Sequence, residues 1–324
     1  MSNERIAQGA VAARGGVRDG GARRPAEPLW ARVRRHWLGP TQPWWGAVFV
    51  APILLLLVCF KFWPMAYAAS LSLTNASLTQ RTSRFLGAAN YLRLTHDTVF
   101  IGALETTARY VSATIAISMV LGLALAVLLN QRLPARGLFR TLLFLPAVVP
   151  IIVTPILWQF LFHPYGLVNT VLKSVGLHPV NWLLSARGAV EALVVATAWR
   201  LTPLCMVIYL AGLQSIPHEL YEAAAIDGAG PPRRFRSVTL PMLKPTFLVV
   251  VVFAITLTVQ NFVLALVMTG GGPDNASTTL SLFVYQTGFI GFQMGYASAA
   301  ALVMLLIIVA FTIFSLRAFR THEE

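Results

Sequence analysis

Charge is what this 324-residue sequence has least of. Asp, Glu, Lys and Arg together make up 11% of it, where a soluble chain carries about 25%. A surface in water needs charge, so this deficit excludes an ordinary soluble globule and points to a surface that faces lipid. Acids are the scarcer sign: 12 Asp and Glu stand against 25 Lys and Arg, a formal net charge of +13. Only two cysteines occur, Cys59 and Cys205, both inside apolar runs, which excludes a disulfide framework of the secreted type. His163 and His218 sit at loop edges, with no Ser/His or metal-ligand cluster around them, so no catalytic residue and no metal site is assigned. The run Gly270-Gly271-Gly272-Pro273 is not followed by Lys-Ser or Lys-Thr, as a phosphate-binding loop requires. The first apolar run starts near Trp44, too far along for a signal peptide, and is expected to be an uncleaved anchor.

Apolar residues are what the sequence has in abundance, 56% of the total. A membrane-crossing helix needs ~20 mostly apolar residues, and six runs qualify, at roughly 45–73, 105–130, 139–162, 189–213, 245–268 and 298–317. They take up nearly all the apolar content and leave none for a separate soluble core. The expected fold is therefore an all-α membrane protein, with residues 1–43 a basic tail and residues 44–324 one transmembrane domain. Eight Arg fall in the first 44 residues, from Arg5 to Arg35. With the N-terminus inside, six spans put loop 131–140, loop 214–244 and the C-terminal tail inside as well. The inside segments then hold 17 Lys and Arg, and the outside loops only Arg81, Arg84, Arg93, Lys173 and Arg187. That asymmetry obeys the positive-inside rule, so both termini are expected in the cytoplasm. Nucleic-acid binding, the other reading of a basic chain, is not expected.

Several local features carry expectations of their own. Residues 1–28 are rich in Gly, Ala and Arg without periodicity and suit disorder. Leu29, Trp30, Val33 and Trp37 recur at helical spacing between arginines, which fits a short helix on the inner leaflet or a frayed extension of the first span. Lys61 can reach an interface by its stem or contact substrate. Segment 74–104, with turn residues Gly87 and Asn90, caps the bundle or meets an outside partner. Glu105 and Arg109 have the i, i+4 spacing of an ion pair on one helix face. Pro146, Pro150 and Pro155 in the third run predict an irregular, cavity-lining span, since proline removes helical hydrogen bonds that membrane bundles must satisfy otherwise. Pro203 interrupts the fourth run in the same way. Loop 163–188 reads as a short re-entrant or interfacial element.

Loop 214–244 has more shape than a polar connection needs. Ser215 can cap a helix with Pro217 in its first turn. Glu219 and Glu222 lie toward the end where the helix dipole favours acids. Ala223, Ala224 and Ala225 form a smooth helical face, and Gly228 suits the left-handed residue that ends a helix. Pro231 and Pro232 begin a second short helix, which Leu240-Pro241 is expected to end. The result is a helix–turn–helix plug open to close approach by another protein, with Glu222 and Asp227 available to charged partners.

Glu222-Ala223-Ala224, Gly228, Val238 and Leu240-Pro241 resemble the EAA loop of ATP-binding-cassette importer permeases, Val238 standing where the family often has Ile. Leu220-Tyr221 before these residues and Asp227-Gly228-Ala229 after them are similar to the carbohydrate branch, the maltose-type permeases. The likeness continues through Gln260-Asn261-Phe262-Val263 and Thr269-Gly270-Gly271-Gly272-Pro273, over roughly residues 45–320. It implies the type I importer permease fold, with six transmembrane helices and a cytoplasmic coupling helix between spans four and five, in a bacterial inner (plasma) membrane. Glu222, Ala223, Ala224, Asp227 and Gly228 would then dock in a cleft of a nucleotide-hydrolysing subunit. The implied partners are a second homologous permease subunit, two ATP-binding subunits holding ATP and Mg, a periplasmic or extracellular solute-binding protein, and the lipid bilayer. This chain would hold no cofactor and would be a transport subunit, not an enzyme.

Arg200 is the outstanding residue for substrate. A charge midway along a span costs roughly 2.5–3.5 kcal/mol on insertion scales, and such residues face a bundle interior or water. The matching segment of maltose-type permeases lines the sugar site and is uncharged at this position, so the resemblance implies an anionic sugar here, such as a uronate oligosaccharide of the alginate type. Alternatively Arg200 pairs with an acid. Leu201 and Leu204 belong to the same wall, Leu204 departing from an aromatic seen in some sugar permeases. Ala254, Leu257, Thr258 and Asn261 are expected along one face of span five, where Thr258 and Asn261 match sugar-lining positions; helix–helix glue is the other reading of these polar groups. Gln260 would point about 100° away and make a helix contact, while Trp199 and Phe262 stack on a sugar or pack. Neutral-sugar and glycerol-phosphate permeases remain alternatives within the family. An unrelated secondary transporter is the alternative outside it, although no internal repeat or membrane-centre acid supports that.

Overall fold

The computed structural model describes residues 43–131 and 134–320. The basic tail, with its suggested helix at 29–38, lies outside the described residues. Helices make up nearly all of what is described: α1 (Pro43–Leu57), a π-helical turn (Val58–Phe62), α2 (Trp63–Ser72), α3 (Ala89–His96), α4 (Thr98–Leu129), α5 (Arg136–Val148), α6 (Val153–Phe162), α7 (Leu167–Ser174), α8 (Ala186–Gln214), α9 (His218–Ile226), α10 (Pro231–Arg234), α11 (Leu240–Met242), α12 (Lys244–Val259), α13 (Phe262–Met268), α14 (Leu280–Tyr285) and α15 (Met294–Arg320). Two more π-helical turns, Phe235–Thr239 and Gln286–Ile290, fill the gaps beside α10 and α14.

Among the described residues, four helical runs are long and apolar enough to cross a membrane: Gly46–Ser72, Thr98–Leu129, Ala186–Gln214 and Met294–Ala318. Two bent pairs pass only together, Arg136–Val148 with Val153–Ser174 at 97°, and Pro231–Met242 with Lys244–Val259 at 64°. Counting each pair as one span gives up to six, although the second pair begins at Pro231, inside the stretch that the sequence reading assigned to loop 214–244. The 97° bend falls at Pro150. Proline disfavours helical geometry in the residue before it, and Val149 is extended at ψ 129.

The chain divides into two compact units after Trp63. In the first, every described side chain from Gly46 to Trp63 is exposed, Lys61 included. The second is built on α4 and α8. These two helices approach closely at Gly122, where a Cβ would lie 2.8 Å from Cys205 Cβ. Nearer the start of both helices, the Tyr110 and Thr197 hydroxyls meet at 2.7 Å in the buried seam. Ala126, Met206, Tyr209, Leu243 and Val250 continue the core toward α12.

The second span begins earlier than its apolar run implies. Asp97 caps α4, its carboxylate accepting from the Val99 and Phe100 N–H groups at 2.9 and 3.1 Å. Glu105 and Arg109 form their expected pair one turn apart, 3.8 Å between exposed groups. Segment 74–97 is fastened over the start of α15. Buried Asn90 donates to the Ser72 and Thr74 carbonyls, both at 2.8 Å. The Tyr296 hydroxyl donates to Asp97 at 2.7 Å, and the Arg93 guanidinium lies 4.0 Å above the Tyr296 ring.

Candidate functional site

The loop after α8 differs in detail from its sequence reading. Ser215 does not start the coming helix. It closes α8, donating to the Gly212 carbonyl at 2.8 Å, and α9 begins at His218 behind Pro217 with no side-chain cap. The far end of α9 matches expectation. Gly228 has φ +73, a conformation that costs glycine nothing. There the Gly228 N–H reaches the Ala225 carbonyl at 3.0 Å and the Ala229 N–H reaches the Ala224 carbonyl at 2.9 Å, the paired closure that satisfies the last carbonyls of a helix. Arg234 Nε donates to the Ala229 carbonyl at 2.6 Å, and the Tyr221 and Thr239 hydroxyls meet at 3.0 Å, bracing α9 against the returning segment. Leu240-Pro241 does not end that segment. Helix continues to Met242, and the 64° bend follows at buried Leu243.

Glu222, Ala223, Ala224, Asp227 and Gly228 thus share one short helix and its closing turn, all exposed except half-buried Ala224. The Glu222 carboxylate lies 3.0 Å from His218 Nδ1 on its own helix. The most exposed large apolar side chain in the described chain, Ile226 at 87%, stands at the end of this helix. Sequence reasoning passed over it, though one branched aliphatic between an alanine run and an Asp-Gly turn was a readable signal.

A second feature lies midway along α8. A cavity of about 260 Å³ is lined by Ile151 from the break in span three, by Ala196, Thr197, Arg200, Leu201 and Leu204 from α8, and by Leu257, Thr258, Gln260, Asn261 and Leu264 from span five. All five residues assigned from sequence to the substrate pathway, Arg200, Leu201, Leu204, Thr258 and Asn261, converge on it. Arg200 is half-buried and makes no ion pair or hydrogen bond to any described residue. No acid of the described chain therefore neutralises it. The Thr258 hydroxyl is buried without a hydrogen-bond partner among the described residues.

Span five corrects three expectations. It is not one continuous helix: α12 ends at Val259, and Asn261, at ψ 88, opens α13 by accepting from the Leu264 N–H at 3.4 Å. The break turns Gln260, expected to point elsewhere, into the cavity. Ala254, expected beside Thr258 on the lining face, lies instead in the core against α8. Trp199 meets Trp158 edge to face at 5.9 Å and Phe262 stacks on Tyr285 at 4.9 Å. Both are packing aromatics outside the lining.

This arrangement defines a multi-pass membrane protein with a braced, exposed helix on one connection and, between its spans, a largely apolar cavity into which Arg200, Thr258, Gln260 and Asn261 bring polar groups. Residues 118–320 match the family described as binding-protein-dependent transport system inner membrane component, and the chain belongs to it. It is 34% identical over 280 residues to the trehalose/maltose transport system permease protein MalF of Thermococcus litoralis, covering 86% of this chain and 95% of that one. It is 33% identical over 298 residues to the sulfoquinovosyl glycerol transport system permease protein SmoG of Agrobacterium fabrum, covering 91% and 96%. A third relative is the sn-glycerol-3-phosphate transport system permease protein UgpA of the same organism, 34% identical over 274 residues, with 83% and 92% covered. Among solved structures, a chain of a bacterial transporter for the acidic polysaccharide alginate superposes with a TM-score of 0.74 at 22% identity, over 91% of this chain and 99% of that one. The fold is that of an importer permease.

Proposed function

We propose that the chain is one of two membrane subunits of an ATP-driven importer for carbohydrates, and that Arg200 selects an anionic sugar such as a uronate oligosaccharide. Solute arrives on a periplasmic or extracellular binding protein. Two ATP-binding subunits hold ATP and Mg and clasp the α9 helix through Glu222, Ala223, Ala224, Asp227 and Gly228. The termini and loop 214–244 face the cytoplasm of a bacterial cell, as the excess of Lys and Arg on that side favours. This chain makes and breaks no covalent bond. Its work is to offer a site that opens to one side at a time.

The observation that carries the substrate reading is the unneutralised Arg200 in the cavity. A half-buried guanidinium that no acid among the described residues pairs with has a standing electrostatic demand that an anionic ligand meets. Its planar fork donates two parallel hydrogen bonds to a carboxylate. Thr258 and Asn261, with Gln260 beside them, offer the mixed donors and acceptors that sugar hydroxyls need. The relatives' substrates lend support: trehalose and maltose are neutral, whereas sulfoquinovosyl glycerol and glycerol 3-phosphate are anions, so charged cargo is at home in this family.

The test uses the complete complex in lipid with its binding protein. ATPase stimulation by binding protein loaded with oligouronate is compared with stimulation by neutral maltooligosaccharide, for wild type and Arg200→Gln. Stimulation by the uronate alone, lost in the variant, is the expected result. Stimulation by the neutral sugar, indifferent to the variant, makes Arg200 structural and moves the cargo to the neutral-sugar class.

A further inference from the structure

We propose that the short helix α7 and the loop around it lie on the lipid headgroup boundary, on the membrane face opposite the docking loop, as an amphipathic clamp at the outer end of spans three and four. The loop joins the end of α6 to the start of α8, so it sits at the opposite end of α8 from Ser215. It is a built element. Asn169, 1% exposed, holds it together: its Oδ1 accepts from the Val180 N–H at 3.0 Å and the Trp182 indole at 3.2 Å, and its Nδ2 donates to the Val180 carbonyl at 3.1 Å.

What this scaffold displays is apolar. Leu167, Val171 and Val175 fall at i, i+4 and i+8, one stripe along the helix, and are 62%, 52% and 65% exposed. Asn169 leaves from the opposite side, as the helical period requires, and Lys173 leaves from that side too. Tyr165 before the helix and Leu177 and Leu184 after it are exposed apolar side chains too. The two hydroxyls beside the stripe are satisfied by their own helix: Thr170 donates to the Gly166 carbonyl at 3.0 Å and Ser174 to the Val171 carbonyl at 2.7 Å. Polar groups satisfied by their own backbone are what a helix in an apolar medium requires.

Three observations favour lipid over a protein partner. Ile156 and Phe160 on α6 are exposed apolar side chains as well, and only the turn 163–166 separates the two helices in the chain. From His163 to Arg187 the sequence contains no Asp or Glu, so nothing there repels headgroup phosphate. An aromatic near the helix and a lone Lys on its polar side are the composition of an interfacial element.

The experiment labels single cysteines with an environment-sensitive fluorophore at Val171→Cys, Val175→Cys and Lys173→Cys, in a Cys59→Ala, Cys205→Ala background. The whole complex is placed in nanodiscs of phosphatidylethanolamine and phosphatidylglycerol, with and without brominated acyl chains. The expected result is blue-shifted emission at 171 and 175 that brominated lipid quenches, and neither effect at 173. Equal emission at all three positions, or blue-shifted emission that brominated lipid leaves untouched, overturns the proposal, the second outcome assigning the stripe to a protein partner. Asn169→Ala is the companion variant. Releasing the scaffold should abolish the difference between 171 and 173 while the complex stays assembled, and an unchanged difference would show that Asn169 does not set the helix orientation.

Discussion

Ile226 offers the sharpest test of the docking reading, because its contribution to the free subunit is close to nothing. At 87% exposure it packs on almost no neighbour, so truncating it should leave the permease's own melting temperature unchanged. In the complex the same side chain has nearly its whole apolar surface available for burial. Covering an isoleucine completely stabilises by about 1.5–3 kcal/mol. Ile226→Ala removes most of that area, a loss of about 2 kcal/mol, which weakens docking by about 30-fold. The variant is purified with its partner permease, and dissociation of the ATPase subunits is followed as they are diluted in detergent. Ile226→Lys should weaken binding further, since it adds a buried charge. Ala225→Ser, on the same helix, should change it little. If Ile226→Ala binds within twofold of wild type, the ATPase subunit does not cover this residue, and the docking face of α9 must be redrawn around Glu222 and Ala223.

The remaining predictions concern the turn, the helix seam and the cap. Gly228→Val forces a branched side chain into φ +73, so α9 should lose its closing turn; transport should fall while ATP hydrolysis by the complex persists, and normal transport would refute the coupling role. Glu222→Arg should uncouple in the same way and leave the subunit's melting temperature within a degree or so, because the pair it breaks with His218 is exposed and worth well under about 1 kcal/mol. Gly122→Leu must push α4 from α8 at the point where a Cβ already meets Cys205; overpacking of this kind costs about 1–3 kcal/mol, read as a lower melting temperature in detergent. Asp97→Ala removes an N-cap worth ~1 kcal/mol and leaves the Tyr296 hydroxyl without its acceptor, so it should destabilise more than the exposed cap alone would.

Hydrophobicity alone made the six spans legible, because a lipid-facing helix has no choice about its surface. Their ends were less legible. Asp97 lies eight residues before the apolar run near 105, and only its hydrogen bonds show that the helix reaches back to it. Ser215 looked like a cap for the next helix because capping residues read alike from either side; geometry gave it to the preceding one. Pro150 announced its bend because proline acts through its own covalent structure. No residue announced the break at Asn261. Periodicity assumes an unbroken helix, so the face drawn through Ala254 and Asn261 was right for Thr258 and wrong for Gln260. Arg200 stood out because a charge at that depth must be explained; Leu201 and Leu204 followed from the matching segment, and Thr258 and Asn261 from helical phase and matched positions together.

The two main walls of the cavity are the two helices that loop 214–244 joins. Arg200 lies 14 residues before the end of α8 at Gln214, about 21 Å along a helix rising 1.5 Å per residue. Thr258 lies a similar 14 residues after the start of α12 at Lys244. The loop between them is not slack: Tyr221 to Thr239 and Arg234 to Ala229 tie its two limbs together, while Leu243 buries the knee at the head of α12. A pull on α9 therefore reaches both walls, but through different joints, the short link Ser215–Pro217 on one side and the 64° bend on the other. Unequal transmission would change the gap between Arg200 and Thr258, which is how a docking helix with no cargo contact could open and close a cargo site. Spin labels at Leu204→Cys and Leu257→Cys in the assembled complex report that gap. It should change when ATP is added to wild type and stay fixed in Gly228→Val; an equal change in both would mean that the cavity responds to ATP by a route that bypasses the loop.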